Sequence, residues 1–196
     1  MHQMTGSGNC YKVLLALAQL RRPCEIVELD IRTGVTRTPG FLALNPNGRV
    51  PLLELDDGTT LAESNAILFY LAEGTELFPE DRLARARVLQ WMFFEQYSHE
   101  PYIATTRYWI RFLDAGDRFA ERIAEHREKG HAALAVLEQQ LAERDFLVDR
   151  YSIADIALFA YTHVAHEGGF DLAPYPAIRA WLDRVRATPG FVPMEG

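Results

Sequence analysis

One short segment in the first half of the chain constrains the fold more than any other. A turn at Asn45-Pro46 is followed by two apolar runs, residues 52–55 and 59–62, with Asp57-Gly58 between them. An Asp-Gly pair between two such runs is a strong signal for a β-hairpin. After the hairpin, apolar residues recur at helical spacing from Ser64 onward. The segment therefore predicts a turn, a β-hairpin and a helix in immediate succession.

Glu63 and Ser64 lie where the second strand of this hairpin becomes the helix. The start of a helix presents backbone N–H groups and a partial positive charge, which suit a carboxylate or another anion. A hydroxyl and a carboxylate at the same place would add partners for both halves of an amino-acid zwitterion. The pair therefore predicts the binding site of a small charged ligand.

The residues before the hairpin alternate between strand and helix patterns. The predicted elements are a short strand at residues 1–4, a helix at 11–20, a strand at 24–29 and a short helix at 40–44. Together with the hairpin and its helix they give the order β-α-β-α-β-β-α. The first part of the chain is therefore expected to be a small α/β unit.

The rest of the chain carries only helical patterns after a linker at residues 74–81. The predicted helices cover residues 85–112, 119–144, 153–164 and 176–187. Pro101 is expected to bend or break the first of them, because proline cannot donate the backbone hydrogen bond of a helix interior. Ser152 followed three residues later by Asp155 is typical of a capping box at the start of the third. An all-helical second part follows.

Composition restricts the partners and the setting. The 196 residues carry a net charge of -7, which argues against nucleic acid, because phosphate binding needs a basic surface. No apolar run approaches the ~20 residues of a membrane-spanning helix, so no membrane partner is expected. Two cysteines, Cys10 and Cys24, and histidines without ligand spacing predict neither a disulfide framework nor a metal site. A cytoplasmic setting is the default.

The complete pattern resembles the glutathione S-transferase family, in particular its bacterial theta-, nu- and beta-like members of the two-domain cytosolic type. The residues that match are Asn45-Pro46, Gly48, Val50-Pro51, Glu63-Ser64, Ile67 and Tyr70-Leu71. The resemblance implies an α/β thioredoxin-like N-terminal domain followed by an all-α helical C-terminal domain, the glutathione transferase fold. It implies a glutathione-binding domain at residues 1–74, a linker at 75–83, and a helical domain contributing the electrophile pocket at 84–196.

The resemblance also implies how glutathione would be held. The Val50-Pro51 bond is expected to be cis, with the valine backbone pairing with the cysteinyl part of the tripeptide. Glu63 and Ser64 are expected to hold the γ-glutamyl group. Arg37 and Arg49 are candidates for binding the glycyl carboxylate.

Three residues at the turn before the first helix compete for the catalytic contact with the glutathione sulfur. Ser7 matches the hydroxyl of the serine classes and would donate its O–H to the thiolate. Cys10 matches the cysteine of the beta-like enzymes, which can form a mixed disulfide with glutathione. Asn9 would offer a side-chain N–H to the same sulfur. For Cys10, a small buried residue at the start of the helix is the competing interpretation.

The second substrate is expected to bind against the long helix after the linker, which mixes aromatic and polar residues. The candidates for this pocket are Tyr97, Glu100, Tyr102, Ile103 and Tyr108. Aromatic faces suit a flat, apolar electrophile. Arg107 and Arg111, four residues apart, would favour an anionic group on that substrate, and a salt-bridged surface is the competing interpretation.

The function implied by the resemblance is conjugation of glutathione, as co-substrate, to a small apolar or aromatic electrophile in detoxification. A glutathione-dependent disulfide or peroxide reductase that uses Asn9 or Cys10 is the alternative within the enzymes. A non-catalytic interaction module is the third possibility. The resemblance also implies a homodimer that packs the first domain of one subunit on the second domain of the other.

Overall fold

The computed structural model describes residues 1–195, which divide into two compact units. The first unit is Met1–Glu73 together with the segment from Pro189 onward, and the second is Gly74–Thr188. The sequence-based division assigned the terminal segment to the helical domain, whereas its contacts in the structure group it with the first unit.

The first unit is built on a four-stranded mixed sheet. Its strands are β1 (His2–Gln3), β2 (Val27–Glu28), β3 (Leu52–Glu54) and β4 (Thr60–Ala62), in the spatial order β2-β1-β3-β4. β1 runs parallel to β2 and antiparallel to β3, and β3 pairs antiparallel with β4. This is a thioredoxin-like arrangement, and the predicted hairpin at Asp57-Gly58 is confirmed, with Leu53 opposite Leu61.

Three helices complete this unit. They are α1 (Gly8–Gln19), α2 (Pro39–Leu44) and α3 (Ser64–Ala72), with two 3₁₀ turns at Ile31–Thr33 and Val35–Arg37. α1 and α3 pack against each other, and their apolar faces meet Met1, just before β1, and Leu53 of β3 in one buried cluster. The helix members of that cluster are Val13, Leu17, Ile67 and Leu71. Because this core sets the positions of α1 and α3, it also sets where the two helices begin.

The segment from Pro189 onward joins the first unit through α1. The Tyr11 hydroxyl donates to the Val192 carbonyl at 2.7 Å. Gly190 has a φ of +74°, and a side chain there would meet the backbone of Gln19 at 3.0 Å. Glycine at this position therefore lets the chain turn closely over the end of α1 before it follows the helix.

The second unit is helical, and its first long helix is less regular than the sequence predicts. The predicted helix at 85–112 consists of α4 (Arg82–Phe94), a π segment (Glu95–His99), α5 (Glu100–Arg107) and a second π segment (Tyr108–Phe112). Pro101 lies in the first turn of α5, and the preceding Glu100 N–H donates to the carbonyl of Glu95, five residues back. Proline can neither donate a hydrogen bond nor tolerate the carbonyl four residues back, so the backbone widens there instead of breaking.

The second unit has three further helices, and the middle one is fully buried. They are α6 (Ala120–Leu141), α7 (Ile153–Thr162) and α8 (Pro176–Arg186), and all ten residues of α7 are buried. The predicted capping box at Ser152 and Asp155 is confirmed. The buried Asp155 carboxylate also accepts hydrogen bonds from the Leu147 N–H at 3.0 Å and the Trp181 indole N–H at 2.9 Å. It thus joins α7, α8 and the loop that precedes α7.

Candidate functional site

The loop before β3 carries the strongest marker of the site. The Val50-Pro51 bond is cis, as the resemblance implied. Asn45 stabilises the loop from within: its side chain donates to the Arg49 carbonyl at 2.8 Å and accepts from the Asn47 N–H at 3.0 Å. Val50 is therefore presented from a loop whose backbone is closely tied together.

Gly48 allows this loop to lie directly on Arg37. Its φ is +61°, and a Cβ there would come within 2.7 Å of both Arg37 Nη1 and the Thr36 carbonyl. Arg37 donates to the Asn47 carbonyl at 3.0 Å. Arg37, a candidate for the glycyl carboxylate, is therefore a support of the loop in this structure, while Arg49 has an exposed side chain at the same loop.

Glu63 connects the loop to the start of α3. It is an exposed N-cap residue with a φ of +69°, an uncommon conformation for a residue other than glycine. Its side chain does not cap α3 and instead accepts a hydrogen bond from Asn47 Nδ2 at 3.2 Å. The carboxylate therefore lies between the helix start and the Val50 loop, and strained backbone of this kind is common at binding sites.

Ser64 differs from the expectation that its hydroxyl faces a ligand. The side chain is buried, with only 5% of the residue exposed, and its hydroxyl donates to Asn9 Oδ1 at 3.0 Å. A buried hydroxyl needs a partner, and Asn9 supplies it because α1 and α3 begin side by side. This bond brings Glu63-Ser64 and the Ser7–Cys10 turn together at one end of the two helices. It also orients the Asn9 amide, one of the three candidates for contact with the sulfur.

Ser7 and Cys10 occupy opposite environments at the start of α1. Ser7 is half-buried and caps the helix by accepting from the Cys10 N–H at 3.4 Å. Cys10 is 1% exposed, and burial raises the pKa of its thiol to about 11, against smaller lowering effects from hydrogen bonds with Ser7 and Met4. The thiolate is the reactive form of cysteine, so Cys10 is a poor nucleophile here.

A cleft of about 410 Å³ opens beside Ser7 within the first unit. Its walls come from the end of β1 and the following turn, from one face of α1, and from the segment after Pro189. The side chains from α1 and the terminal segment are Tyr11, Leu14, Ala18, Val192, Pro193 and Met194. Most of these are apolar, so the cleft suits an apolar group placed next to the Ser7 hydroxyl.

The residues that line this cleft were not predicted as a group from the sequence. Tyr11 lies one helical turn after Ser7, which is a signal for a shared face of α1. By contrast, nothing local in the sequence indicates that Val192 and Met194, more than 180 residues later, line the same space. Their placement depends on where the last helix ends.

The residues predicted for the electrophile pocket are spread over the first π segment, α5 and the second π segment. Tyr97 is 84% exposed, and Ile103 is buried in the core of the second unit. Tyr102 makes an edge contact with His126, Tyr108 stacks on Phe112, and Glu100 accepts from Gln96. None of these contacts joins two of the five side chains.

Arg107 and Arg111 form the salt-bridged arrangement that was the competing interpretation. Arg107 is buried, and its guanidinium binds the Glu167 carboxylate at 2.7 Å. Arg111 binds the same oxygen at 2.9 Å. The two side chains therefore hold the turn after α7, and they give no support for an anion site.

The described residues contain neither a cluster of potential metal ligands nor a membrane-spanning helix. No three His, Cys, Asp or Glu side chains among residues 1–195 are placed to hold a metal ion. Within the same residues, no helix is long and apolar enough to cross a membrane.

Taken together, the sheet order, the cis-proline loop and the paired starts of α1 and α3 define a thioredoxin-like unit followed by a helical one. Residues 6–73 match the family description "Glutathione S-transferase, N-terminal domain", and residues 120–184 match its C-terminal counterpart. The chain belongs to the glutathione S-transferase family.

Individual relatives agree with this assignment. The crystal structure of a glutathione S-transferase from Pseudomonas fluorescens Pf-5 is 53% identical, with a TM-score of 0.94 over 96% of this chain and 94% of that one. Disulfide-bond oxidoreductase YfcG of Escherichia coli is 30% identical, covering 92% of this chain and 87% of its own length. Ure2p in complex with glutathione is 25% identical, with a TM-score of 0.82 over 96% of this chain and 95% of that one.

Proposed function

We propose that this protein is a glutathione transferase in which Ser7 stabilises the glutathione thiolate for attack on an apolar electrophile. The observation that carries the proposal is the position of Ser7, half-buried at the start of α1 and on the wall of the cleft. A hydroxyl there adds its own donor to the partial positive charge of the helix start. Both favour the charged form of a sulfur.

Three contacts would hold the tripeptide. The backbone of Val50 would pair with the cysteinyl part, because the cis-proline loop presents that backbone beside the sheet. The Glu63 carboxylate would bind the α-amino group, and the backbone at Ser64 would bind the α-carboxylate at the start of α3. Ure2p binds glutathione in a similar fold, which supports this assignment. Arg49, exposed at the Val50 loop, remains the candidate for the glycyl carboxylate.

The chemical step needs only a modest contribution from Ser7. An unperturbed thiol has a pKa of about 8.5, and lowering it by ~2 units corresponds to ~2.7 kcal/mol. A hydrogen bond to a charged group supplies about 1.5–3 kcal/mol, which is the same range. The thiolate then forms a C–S bond with the electrophile while the leaving group departs with the bonding electrons. The cleft contributes by holding the electrophile beside the sulfur.

The transferase function is tested by conjugation of glutathione to 1-chloro-2,4-dinitrobenzene, which releases chloride. We expect Ser7→Ala to lower kcat/KM by about 10- to 100-fold, because one hydrogen bond to the thiolate is lost. Ser7→Thr keeps a hydroxyl and a helix cap, so it should retain most of the activity. Equal rates for the wild type and Ser7→Ala would contradict the role of Ser7.

A disulfide reductase is the second candidate, because YfcG, a disulfide-bond oxidoreductase, is similar over most of its length. The high pKa of Cys10 argues against a mechanism that forms a mixed disulfide on that residue. A reductase that depends on Asn9 would keep its activity in Cys10→Ala and Ser7→Ala. Turnover of a glutathione mixed disulfide by Ser7→Ala, without conjugation by the wild type, would favour this second function.

A homodimer is the proposed assembly, and an exposed apolar face of α4 supports it. Phe93 is 70% exposed and lies one helical turn before the exposed Tyr97. Leu83 on α4 and Val136 on α6 are also exposed. Exposed aromatic residues about one helical turn apart favour association with another protein surface. The resemblance to the family implies that this surface belongs to a second copy of the same chain.

A further inference from the structure

Asn47 lies where the two halves of the proposed glutathione site meet. Its backbone N–H donates to Asn45 Oδ1 at 3.0 Å, and its carbonyl accepts from Arg37 Nη1 at 3.0 Å. Its side-chain Nδ2 donates to Glu63 Oε1 at 3.2 Å. Asn47 is therefore held by the loop before β3 through its backbone, and it contacts the start of α3 through its side chain.

These hydrogen bonds lead from a buried residue to an exposed one. Asn45 is only 5% exposed, and its amide also donates to the Arg49 carbonyl at 2.8 Å, so its orientation is fixed. Asn47 and Glu63 are both exposed. The fixed loop therefore orients Asn47, and Asn47 in turn orients a carboxylate that a ligand can reach from solvent.

The Glu63 carboxylate depends on Asn47 for its position. Within residues 1–195, the bond from Asn47 is the only hydrogen bond that this carboxylate makes, and it does not cap α3. An exposed glutamate side chain without such a bond samples several rotamers, and a ligand that binds it must first order it. The bond from Asn47 makes that order a property of the folded protein.

The amide of Asn47 suits this task because it is a neutral donor. It uses one oxygen of the Glu63 carboxylate and leaves the second oxygen and the full negative charge for an ammonium group. A lysine or arginine in its place would neutralise the carboxylate and compete with the ligand. Arg37, the cation that supports this loop, donates to the Asn47 carbonyl instead.

We infer that Asn47 is a positioning residue, which acts on the α-amino group of glutathione only by holding Glu63. This inference rests on the proposed function, in which Glu63 binds that amino group. It assigns to Asn47 a part in the selection of thiols that carry a free γ-glutamyl amino group. The cysteinyl and glycyl parts of the tripeptide bind elsewhere, so their contribution to affinity should not depend on the Asn47 side chain.

The test compares glutathione with glutaryl-cysteinylglycine, which is glutathione without its α-amino group. In calorimetric titrations of the full chain, the wild type should bind glutathione at least about tenfold more tightly than this analogue. Asn47→Ala should weaken glutathione binding about three- to tenfold and change the affinity for the analogue by less than about twofold. Alanine fits the loop, because the φ of Asn47 is not positive and both backbone hydrogen bonds remain.

Three further variants separate a role through Glu63 from a role in the loop. Asn47→Ala combined with Glu63→Gln should bind glutathione as Glu63→Gln alone does, because Asn47 acts only through that carboxylate. Arg49→Ala, at an exposed position of the same loop, should change both affinities by the same factor, because both ligands carry the glycyl carboxylate. Asn47→Ser, whose side chain is shorter and lacks the amide, should match Asn47→Ala and replaces it if the alanine variant does not fold.

The outcomes distinguish this inference from the proposed function. Equal weakening of both ligands in Asn47→Ala, or no weakening of either, overturns the inference and leaves glutathione binding in place. A double variant that binds glutathione more weakly than Glu63→Gln does also overturns it. If the wild type binds both ligands equally, Glu63 does not hold the amino group, and the inference fails while glutathione binding stands. If the wild type does not bind glutathione, the proposed function and the inference fail together.

Discussion

At the scale of single residues, environment decides which group at the start of α1 can act on a sulfur. Ser7 and Cys10 are three residues apart, yet Ser7 reaches the cleft and Cys10 is sealed in the core. The sequence limited the choice to a short turn but could not separate the two, because burial depends on how α1 packs. The same limit applies to Ser64. Its position at the start of α3 was predictable from the sequence, whereas its hydrogen bond to Asn9 depends on α1 beginning beside α3.

His163 provides a prediction for pH at this scale. Its ring stacks on Phe159 and its Nδ1 lies 2.8 Å from the Phe159 carbonyl, and burial lowers its pKa to about 4. In the unfolded chain the histidine pKa is about 6.5, so the unfolded state takes up the proton first as the pH falls. The folded state should therefore lose up to about 3 kcal/mol of stability between pH ~6.5 and ~4.

Denaturant unfolding at several pH values measures this effect as a difference between variants. His163→Gln should flatten the fall in unfolding free energy relative to the wild type over that range. His166→Gln, at an exposed position three residues later, is the control and should follow the wild type. Identical slopes for the wild type and His163→Gln would show that His163 does not contribute.

At the scale of elements, local signals were sufficient where turn chemistry or capping sets the structure. Asp57-Gly58 identified the hairpin, and Ser152 with Asp155 identified the start of α7. The π segments on either side of α5 were not predicted, because a wider helical turn keeps an apolar pattern close to that of an α-helix. Pro101 predicted a bend or a break, and the structure accommodates the proline with a wider helical turn instead.

The exposed face of α4 gives a prediction about assembly. If a second copy covers Phe93, Phe93→Glu should place a charge in an apolar interface and convert the dimer to a monomer at ~10 µM. Sedimentation velocity distinguishes the two states directly. Phe93→Tyr preserves the ring and should remain dimeric. A wild type that is monomeric at this concentration, or a dimer that survives Phe93→Glu, would contradict the assignment of this face.

At the scale of the whole molecule, both parts of the fold were predictable, but the walls of the cleft were not. The strand and helix patterns predicted a small α/β unit followed by an all-helical part, and the resemblance to glutathione S-transferases supplied the thioredoxin-like topology. The terminal segment returns to α1 through the Tyr11 to Val192 hydrogen bond, and neither residue carries a signal for the other. Contacts between distant parts of a chain depend on the completed fold, so the cleft beside Ser7 became visible only in the structure.

The most direct test of this account is calorimetric titration of the full chain with glutathione. The account predicts one site per chain with a Kd below ~1 mM, which corresponds to about 4 kcal/mol of binding free energy. Glu63→Gln keeps the bond from Asn47 but removes the charge that would bind the α-amino group, and it should weaken binding about tenfold. Glu73→Gln, at the exposed end of α3, should bind as the wild type does. No binding by the wild type at ~10 mM glutathione, or equal affinity in Glu63→Gln, would contradict the account.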